Sequence, residues 1–219
     1  MASVRFSKDF GSERLLYRAV EDSEEDKAFF HNALDNDPTS QAMVSMSLNR
    51  PISKKNAENH IKAMQDCLLA VIISLRPQES KKGSPPAGEA QTPDPAHKEA
   101  KPIPIGRLAL SYHRGGGDSA FSRHRAAMLG ISLIDGFSGK GYGTEAISWG
   151  LDWAFEQAGL HRVCLCVFSY NTRAIELYRK LGFVEEGRER EAVFYCRNWH
   201  DVVLFSMLEH EWEKLRGVS

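Results

Sequence analysis

The sequence predicts a mixed α/β fold, and three observations support this. Strand-like and helix-like patterns alternate along most of the 219 residues. A glycine-rich turn separates a short apolar run from an amphipathic helix pattern. The hydrophobic content of 42% is enough for one substantial core. We therefore expect a single domain over residues 1–219.

The N-terminal half predicts two strands and two helices. In chain order these are a strand at Arg14–Val20, a helix at Ser23–Leu34, a helix at Ser53–Gln65 and a strand at Leu68–Leu75. The range 78–101 differs, since it contains four prolines and almost no bulky apolar residue. Such a segment buries too little surface to offset the entropy of ordering it, so we expect a flexible insertion there.

The C-terminal half predicts a hairpin followed by further strand and helix segments. The hairpin strands are Ile103–His113 and Ala126–Ile134. The later elements are, in chain order, a helix from the glycine turn to Gly159, a strand at Val163–Phe168, a helix at Thr172–Leu181, and strands at Ala192–Cys196 and Val202–Leu208. Helices and strands are thus interleaved rather than segregated.

The glycine turn is Ser138-Gly139-Lys140-Gly141-Tyr142-Gly143-Thr144-Glu145. Its three glycines allow a sharp turn and let backbone N–H groups approach a ligand without obstruction by side chains. The following helix adds unpaired N–H groups and the positive end of its dipole. The sequence therefore predicts a site for phosphate or pyrophosphate.

Two other classes of glycine loop fit less well. The phosphate-binding loop of nucleotide hydrolases requires Ser or Thr after Gly-Lys, whereas Gly141 follows Lys140. Gly141–Ala146 matches the dinucleotide pattern G-x-G-x-x-A. That pattern also needs a carboxylate after the next strand, but the strand ends in Ser169 and Tyr170. A dinucleotide-dependent oxidoreductase is thus the weaker alternative.

Composition excludes several classes of partner. A net charge of −1 counts against nucleic-acid binding, and no apolar run reaches the ~20 residues that a membrane span needs. The N-terminus lacks the apolar core of a secretion signal, so we expect a cytoplasmic protein, with the nucleus left open. The four cysteines have no metal-ligand spacing, and we expect Cys164 and Cys166 to be buried and reduced.

Two motifs together resemble a known family. The pattern Gln/Arg-x-x-Gly-x-Gly/Ala falls on Ser138, Gly141 and Gly143. A second pattern, Asn-x-x-Ala-x-x-x-Tyr-x-x-x-Gly-Phe, begins at Asn171 and places its tyrosine at Tyr178. The segment Leu129–Leu208 therefore resembles the catalytic half of the GNAT superfamily of acetyl-CoA-dependent N-acetyltransferases. Trp199–Leu204 and the glycine turn are most similar to the branch that acetylates ribosomal-protein α-amines and polyamines.

The resemblance implies a central, mostly antiparallel, twisted sheet with helices on both faces. Its fourth and fifth strands splay apart, and the pantetheine arm of acetyl-CoA enters the gap. The implied coenzyme-binding residues are Leu133, Ile134, Ser138, Gly139, Lys140, Gly141, Tyr142, Gly143, Thr144 and Asn171. Asn171 also has an ordinary structural interpretation, since Asn is a frequent helix cap.

The resemblance also implies the reaction, in which a primary amine attacks the thioester directly. Tyr178 resembles the general acid of the family, and the alternative is a packing role for its ring. Many relatives have a glutamate where this chain has Met128, so the general base is open. Asp135 is the first candidate for it. His113, Asp201 and a chain of water molecules are the others.

The resemblance leaves the acceptor open among peptide or protein α-amines, polyamines and similar small amines. Phe194, Tyr195 and Trp199 are candidates to line its groove, although they also suit a core. Ser138 replaces a long donor of the family motif, and Lys140 offers a compensating charge. A non-catalytic acyl-CoA-binding module remains an alternative, and the protein is expected to be a monomer or homodimer.

Overall fold

A computed structural model describes residues 9–77, 101–112 and 123–218. The predicted insertion, apart from Lys101, and His113 lie outside these residues. The described residues form one seven-stranded sheet in the order β1-β2-β3-β4-β5-β7-β6. The strands are β1 (Leu15–Ala19), β2 (Leu69–Leu75), β3 (Ile103–Tyr112), β4 (Ala126–Leu133), β5 (Arg162–Phe168), β6 (Val184–Tyr195) and β7 (Asn198–Leu208).

Six helices accompany the sheet in the described part of the chain. They are α1 (Glu24–Phe29), α2 (Pro38–Val44), α3 (Lys54–Gln65), α4 (Tyr142–Asp152), α5 (Thr172–Lys180) and α6 (Glu209–Arg216). Two of them continue in π-helical turns, α1 into Phe30–Asp35 and α4 into Trp153–Gln157. None of the helices in these residues is both long and apolar enough to cross a bilayer.

The sheet is antiparallel except between β4 and β5, as the mostly antiparallel prediction requires. These two strands pair in parallel only at their beginnings, and Met128 with Cys164 is the last pair. The remainder of β4, from Leu129 to Leu133, has no partner on the β5 side. The predicted splay of the fourth and fifth strands is therefore confirmed.

The core lies on both faces of the sheet. On one face, Ile147 and Leu151 of α4 pack against Leu129 and other apolar side chains of the central strands. On the other face, Phe30 and Ile61, from the α1 and α3 region, pack against β2 and β3. The alternation of apolar residues along the strands separates these two layers. The prediction of helices on both faces is thus confirmed.

Three parts of the predicted organisation were wrong. The strand expected at Ala192–Cys196 begins at Val184, and helices α2 and α6 were not predicted. The first half of β6 reads Val-Glu-Glu-Gly-Arg-Glu-Arg-Glu, which has no apolar alternation. β6 is an edge strand, and charged side chains are common on edges because they oppose pairing with other chains. Cys166 is exposed rather than buried, while Cys164 is buried as expected.

Candidate active site

The glycine turn connects the end of β4 to the beginning of α4. Gly139 and Gly141 have φ angles of 82° and 84°, a left-handed conformation that side chains strongly disfavour. Gly141 is the N-cap of α4 and has no side chain to cap the first N–H groups of the helix. These N–H groups are available to a ligand, as expected at a phosphate-binding helix terminus.

Arg14 holds the glycine turn in place. Its Nη1 donates to the carbonyl of Lys140 at 3.0 Å, and its Nε pairs with the Glu145 carboxylate at 2.7 Å. Ser12 donates to the same carboxylate at 2.6 Å. Burial raises the pKa of Glu145, but the hydrogen bonds from Ser12 and Arg14 outweigh it and lower the pKa overall. Glu145 therefore remains charged and ties β1 to α4.

Two other cations lie at the turn without such a partner. A Cβ atom built on Gly139 would lie 2.7 Å from Nη2 of Arg173, so this guanidinium rests against the turn. Lys140 is exposed, with its ammonium 5.3 Å from the centre of the Phe137 ring. Among the ion pairs of the described residues, neither Lys140 nor Arg173 has a carboxylate partner. Both charges are available to an anion.

Arg173 was missed by the sequence analysis, and it offsets the absence of a long donor at Ser138. Ser138 is exposed in the turn, so its short side chain leaves room above the glycines. Arg173 reaches the turn from the first turn of α5. The signal in the sequence was weak, because Arg173 belongs to α5 and only the fold brings it to the start of α4.

Asn171 begins α5 and has the predicted cap geometry. Its Oδ1 accepts a hydrogen bond from the backbone N–H of Ala174 at 3.2 Å. The helix-cap interpretation is therefore confirmed. Its Nδ2 makes no hydrogen bond within the described residues. The coenzyme-binding role of Asn171 stays a prediction.

The backbone of β4 presents an open edge to the gap. Ile134 donates its N–H to Ile105 on the β3 side at 2.9 Å. Backbone groups alternate in direction along an antiparallel strand, so those of Leu129, Ile131 and Leu133 point toward the gap. The structure thus supports Leu133 as a residue with free backbone groups. The Ile134 amide is engaged with β3 instead, and the prediction overlooked Ile131.

Tyr178 lies in the core cluster that also contains Leu129 of β4 and Leu165 of β5. The ring is 8% exposed and meets the ring of Phe183 edge-on at 5.8 Å. Burial raises the pKa of Tyr178 to about 12, with a smaller contribution from Cys166. No hydrogen bond in the described part of the chain involves its hydroxyl. The phenol is therefore protonated and has its proton available.

The family model described as Acetyltransferase (GNAT) domain matches residues 14–184. This chain belongs to the GNAT acetyltransferase family. Acetyltransferases of this family use acetyl-CoA. The glycine turn fits such a coenzyme, since Gly141 has no side chain to cap the first N–H groups of α4 and the Arg173 guanidinium rests against Gly139.

Several curated GNAT proteins are similar to the chain. Spermidine N(1)-acetyltransferase of Vibrio cholerae is 34% identical over 89 residues, covering 41% of this chain and 51% of the relative. YdaF of Bacillus subtilis, which bears the name of a ribosomal N-acetyltransferase, is 34% identical over 90 residues, covering 41% of this chain and 49% of the relative. The chain thus spans about half the length of the curated relatives it matches.

A solved structure shows the same fold over a longer range. Spermidine N-acetyltransferase from Vibrio cholerae in complex with CoA and spermine superposes with a TM-score of 0.65 at 23% identity. The superposition covers 91% of this chain and 98% of that chain. The GNAT fold therefore extends well beyond the two sequence motifs.

The candidate base Asp135 lies next to the glycine turn, and its catalytic role stays a prediction. Asp135 is exposed in the turn after β4, seven residues beyond Met128 and next to the glycine turn. Asp201 accepts a hydrogen bond from the Glu191 backbone N–H at 3.0 Å, which holds the bulge of β6. Met128 itself is half-buried at the junction of β4 and β5. Neither Asp135 nor Asp201 lies at this junction.

The predicted aromatic residues lie on different faces of the β6–β7 hairpin. Tyr195 stacks on Tyr170 with ring centres 4.8 Å apart, and the Tyr170 hydroxyl donates to the carbonyl of Ala42 in α2 at 2.5 Å. Phe194 and Trp199 are each 60% exposed and contact one another at 5.2 Å. Only Tyr195 therefore belongs to the face that carries α2.

Proposed function

We propose that this chain is an N-acetyltransferase that moves an acetyl group from acetyl-CoA to a primary amine by direct attack in a ternary complex. The proposal is supported by the β4 edge that has no partner on the β5 side and leads to the glycine turn, together with Tyr178, which packs in the same core cluster as Leu129 of β4 and Leu165 of β5. A non-catalytic binder would have no need for a buried phenol whose hydroxyl is left without a partner.

The chain's residues divide the binding of the coenzyme between them. The N–H groups from Gly139 to Thr144 would hold the pyrophosphate, with Lys140 and Arg173 supplying positive charge. The pantetheine would pair with the backbone of β4 from Leu129 to Leu133. Asn171 would contribute its Nδ2 group at the other side of the gap.

Bound acetyl-CoA would supply the activated acetyl group as a thioester. Tyr178 then donates its phenolic proton to the departing sulfur. Its raised pKa keeps that proton in place until the sulfur carries negative charge. The acceptor amine must also lose a proton, and the candidates to accept it are Asp135, His113, Asp201 and a chain of water molecules. Neither Asp135 nor Asp201 lies at the junction of β4 and β5.

The acceptor we propose is a primary amine on a small molecule or a peptide. Relatives named for spermidine and ribosomal acetylation support this class. The test is an acetyl-transfer screen with purified protein against polyamines, amino-sugars and peptides with free α-amines, read by release of free thiol. Thiol release that depends on one of these amines is the expected result. Binding of acetyl-CoA without transfer to any amine would contradict the proposal.

Replacing Arg173 with Met should weaken coenzyme binding. The substitution keeps an unbranched apolar stem but removes the guanidinium, whose charge rests against Gly139. A hydrogen bond to a charged group contributes about 1.5–3 kcal/mol, so the dissociation constant for CoA should rise about tenfold or more. Isothermal titration calorimetry measures this dissociation constant.

Arg179→Met is the matched control, since Arg179 lies two turns later on α5 and pairs with Glu185. Its dissociation constant for CoA should stay within about twofold of the unmodified protein, because an exposed ion pair contributes little. Equal effects of the two substitutions would show that Arg173 acts only through the net charge of α5.

A further inference from the structure

A polar cluster lies on the sheet face covered by α1 and α3, outside the proposed coenzyme site. It consists of Asp35, His60 and Arg107. Asp35 is 4% exposed, at the end of the π-helical turn that follows α1. Its Oδ1 lies 3.0 Å from Nδ1 of His60, whereas its Oδ2 is buried without a hydrogen-bond partner in the described residues.

Arg107, on β3, has a buried donor that lacks an acceptor in the described part of the chain. Its Nε is buried and has no hydrogen-bond partner among the residues described. Its Nη1 reaches only the sulfur of Met64, at 3.6 Å. His60, which contacts Asp35, and Met64, which contacts Arg107, lie one turn apart on α3, so the two charged side chains are neighbours. Burial lowers the pKa of Arg107, and Asp35 acts in the opposite direction. One unsatisfied acceptor and one unsatisfied donor thus occur in the same apolar layer.

Buried polar groups in native proteins are nearly always hydrogen-bonded, so a pair of this kind points to a missing partner. A ligand group that satisfies both atoms accepts a hydrogen bond from Arg107 and donates one to Asp35. An amide group does both, through its carbonyl oxygen and its N–H. A polyamine offers donors and positive charge only, and Arg107 would repel it.

The cluster is one strand away from the gap between β4 and β5. Arg107 pairs with Ser132 of β4, which lies beyond Met128, the last β4 residue that pairs with β5. The helices that begin at the phosphate-binding end, α4 and α5, cover the other face. Arg107 as a whole residue is half-buried, although its Nε is buried. Extra π-helical residues, as at Phe30–Asp35, occur frequently at functional sites.

We propose that Arg107 and Asp35 form an acceptor subsite for an amide group, which selects peptide amines over polyamines. The inference rests on the proposed acetyltransferase function and names the acceptor class of the same site. Arg107 binds the amide carbonyl, Asp35 binds the amide N–H, and His60 orients Asp35 through its Nδ1. Arg107 thus determines which class of amine the site prefers.

The test is Arg107→Met, which keeps an unbranched side chain against Met64 and removes every donor. Three acceptors are compared: alanyl-alanine amide, propylamine, which lacks the amide, and spermidine. In the unmodified protein kcat/KM should be highest for the dipeptide amide. The substitution should lower the ratio of dipeptide amide to propylamine about tenfold or more, because one hydrogen bond to a charged group is lost. The substitution should leave kcat/KM for propylamine within about twofold of its value in the unmodified protein.

Arg123→Met is the matched control, because Arg123 is exposed immediately before β4. This control should leave kcat/KM unchanged for all three acceptors. An unchanged ratio of dipeptide amide to propylamine in Arg107→Met would overturn the inference, as would a preference of the unmodified protein for spermidine. If Arg107 were purely structural, all three amines would lose activity equally. The melting temperature should fall in either case, because the substitution leaves the buried Asp35 carboxylate without the guanidinium, so the ratio of the two acceptors is the deciding quantity.

A binding measurement separates this inference from the proposed function. Titration of alanyl-alanine amide into the CoA-loaded protein requires no acetyl transfer. Weaker binding in Arg107→Met, by about tenfold, would support the subsite even if no amine were acetylated. No binding to the unmodified protein, alongside acetylation of other amines, would overturn the subsite and leave the acetyltransferase function standing.

Discussion

Tyr178→Phe should lower kcat by about 10²-fold or more while the dissociation constant for CoA changes little. General acid catalysis contributes typically 10²–10⁴-fold, and phenylalanine has no proton to donate. The aromatic ring remains, so the edge-on contact with Phe183 and the packing of the core are kept. Steady-state kinetics with the best amine from the acetyl-transfer screen, together with CoA titration, measure both quantities.

Tyr17→Phe is the matched control for the loss of a buried phenol. Tyr17 is 3% exposed on β1, and its hydroxyl lies 2.9 Å from Oγ of Ser12. The substitution removes that hydrogen bond far from the end of the gap at Tyr178, so kcat should stay near its normal value. A Tyr178→Phe protein with near-normal kcat would reduce Tyr178 to a packing residue.

The effect of Tyr178→Phe should be independent of pH between about 7 and 10. Burial disfavours the charged phenolate and raises the pKa of Tyr178 to about 12, so the proton-bearing form persists throughout this range. The kcat profiles of the two proteins should therefore run parallel on a logarithmic scale. A ratio that shrinks steadily above pH 8 would mean that the phenol titrates there and that its pKa is not raised.

The fold around the gap could be predicted because local signals and tertiary structure agree there. Gly139 and Gly141 adopt the left-handed conformation that the glycine pattern indicated, and α4 begins where predicted. Asn171 caps α5, as short polar side chains often do. The apolar run of β5 lies in the core, as a strand covered on its faces should.

The remaining elements could not be predicted from local pattern, because tertiary context determines them. The charged first half of β6 becomes a strand by pairing with β7. Cys166 is exposed, although its neighbours in β5 are buried. The sequence does not show which part of a sheet face a helix covers, so this exposure could not be predicted. An aspartate such as Asp26 is expected at the surface, yet it is 1% exposed. Its burial is tolerated because Arg18 pairs with its carboxylate.

The site shows the same limit at the level of single residues. Motif spacing identified the turn and the tyrosine, but not Arg173, whose guanidinium reaches Gly139 only once α4 and α5 lie side by side. Asp135 is close to β4 in sequence, and the chain then turns it toward the phosphate-binding end. Arg107 and Asp35 are 72 positions apart, and only the packing of the α1 region on β3 brings them into one cluster.

Gly141→Val should abolish most of the affinity for CoA while the fold survives. Gly141 has a φ angle of 84°, which a β-branched residue adopts only with strain, and its new side chain would crowd Arg14 at 3.2 Å. The strain would move the first N–H groups of α4 away from the pyrophosphate. Loss of two hydrogen bonds to a charged group costs at least about 3 kcal/mol, so the dissociation constant should rise by 10²-fold or more.

Gly217→Val is the matched control for this loss, because it introduces the same kind of strain far from the glycine turn. Gly217 ends α6 with a φ angle of 64°, and a Cβ atom there meets nothing within 4 Å. Both variants should lose some thermal stability, but only Gly141→Val should lose CoA binding in isothermal titration. Unchanged affinity in a folded Gly141→Val protein would mean that the pyrophosphate binds elsewhere. A circular dichroism spectrum matching that of the unmodified protein establishes that the variant is folded, so a weakened titration then reports on the turn itself.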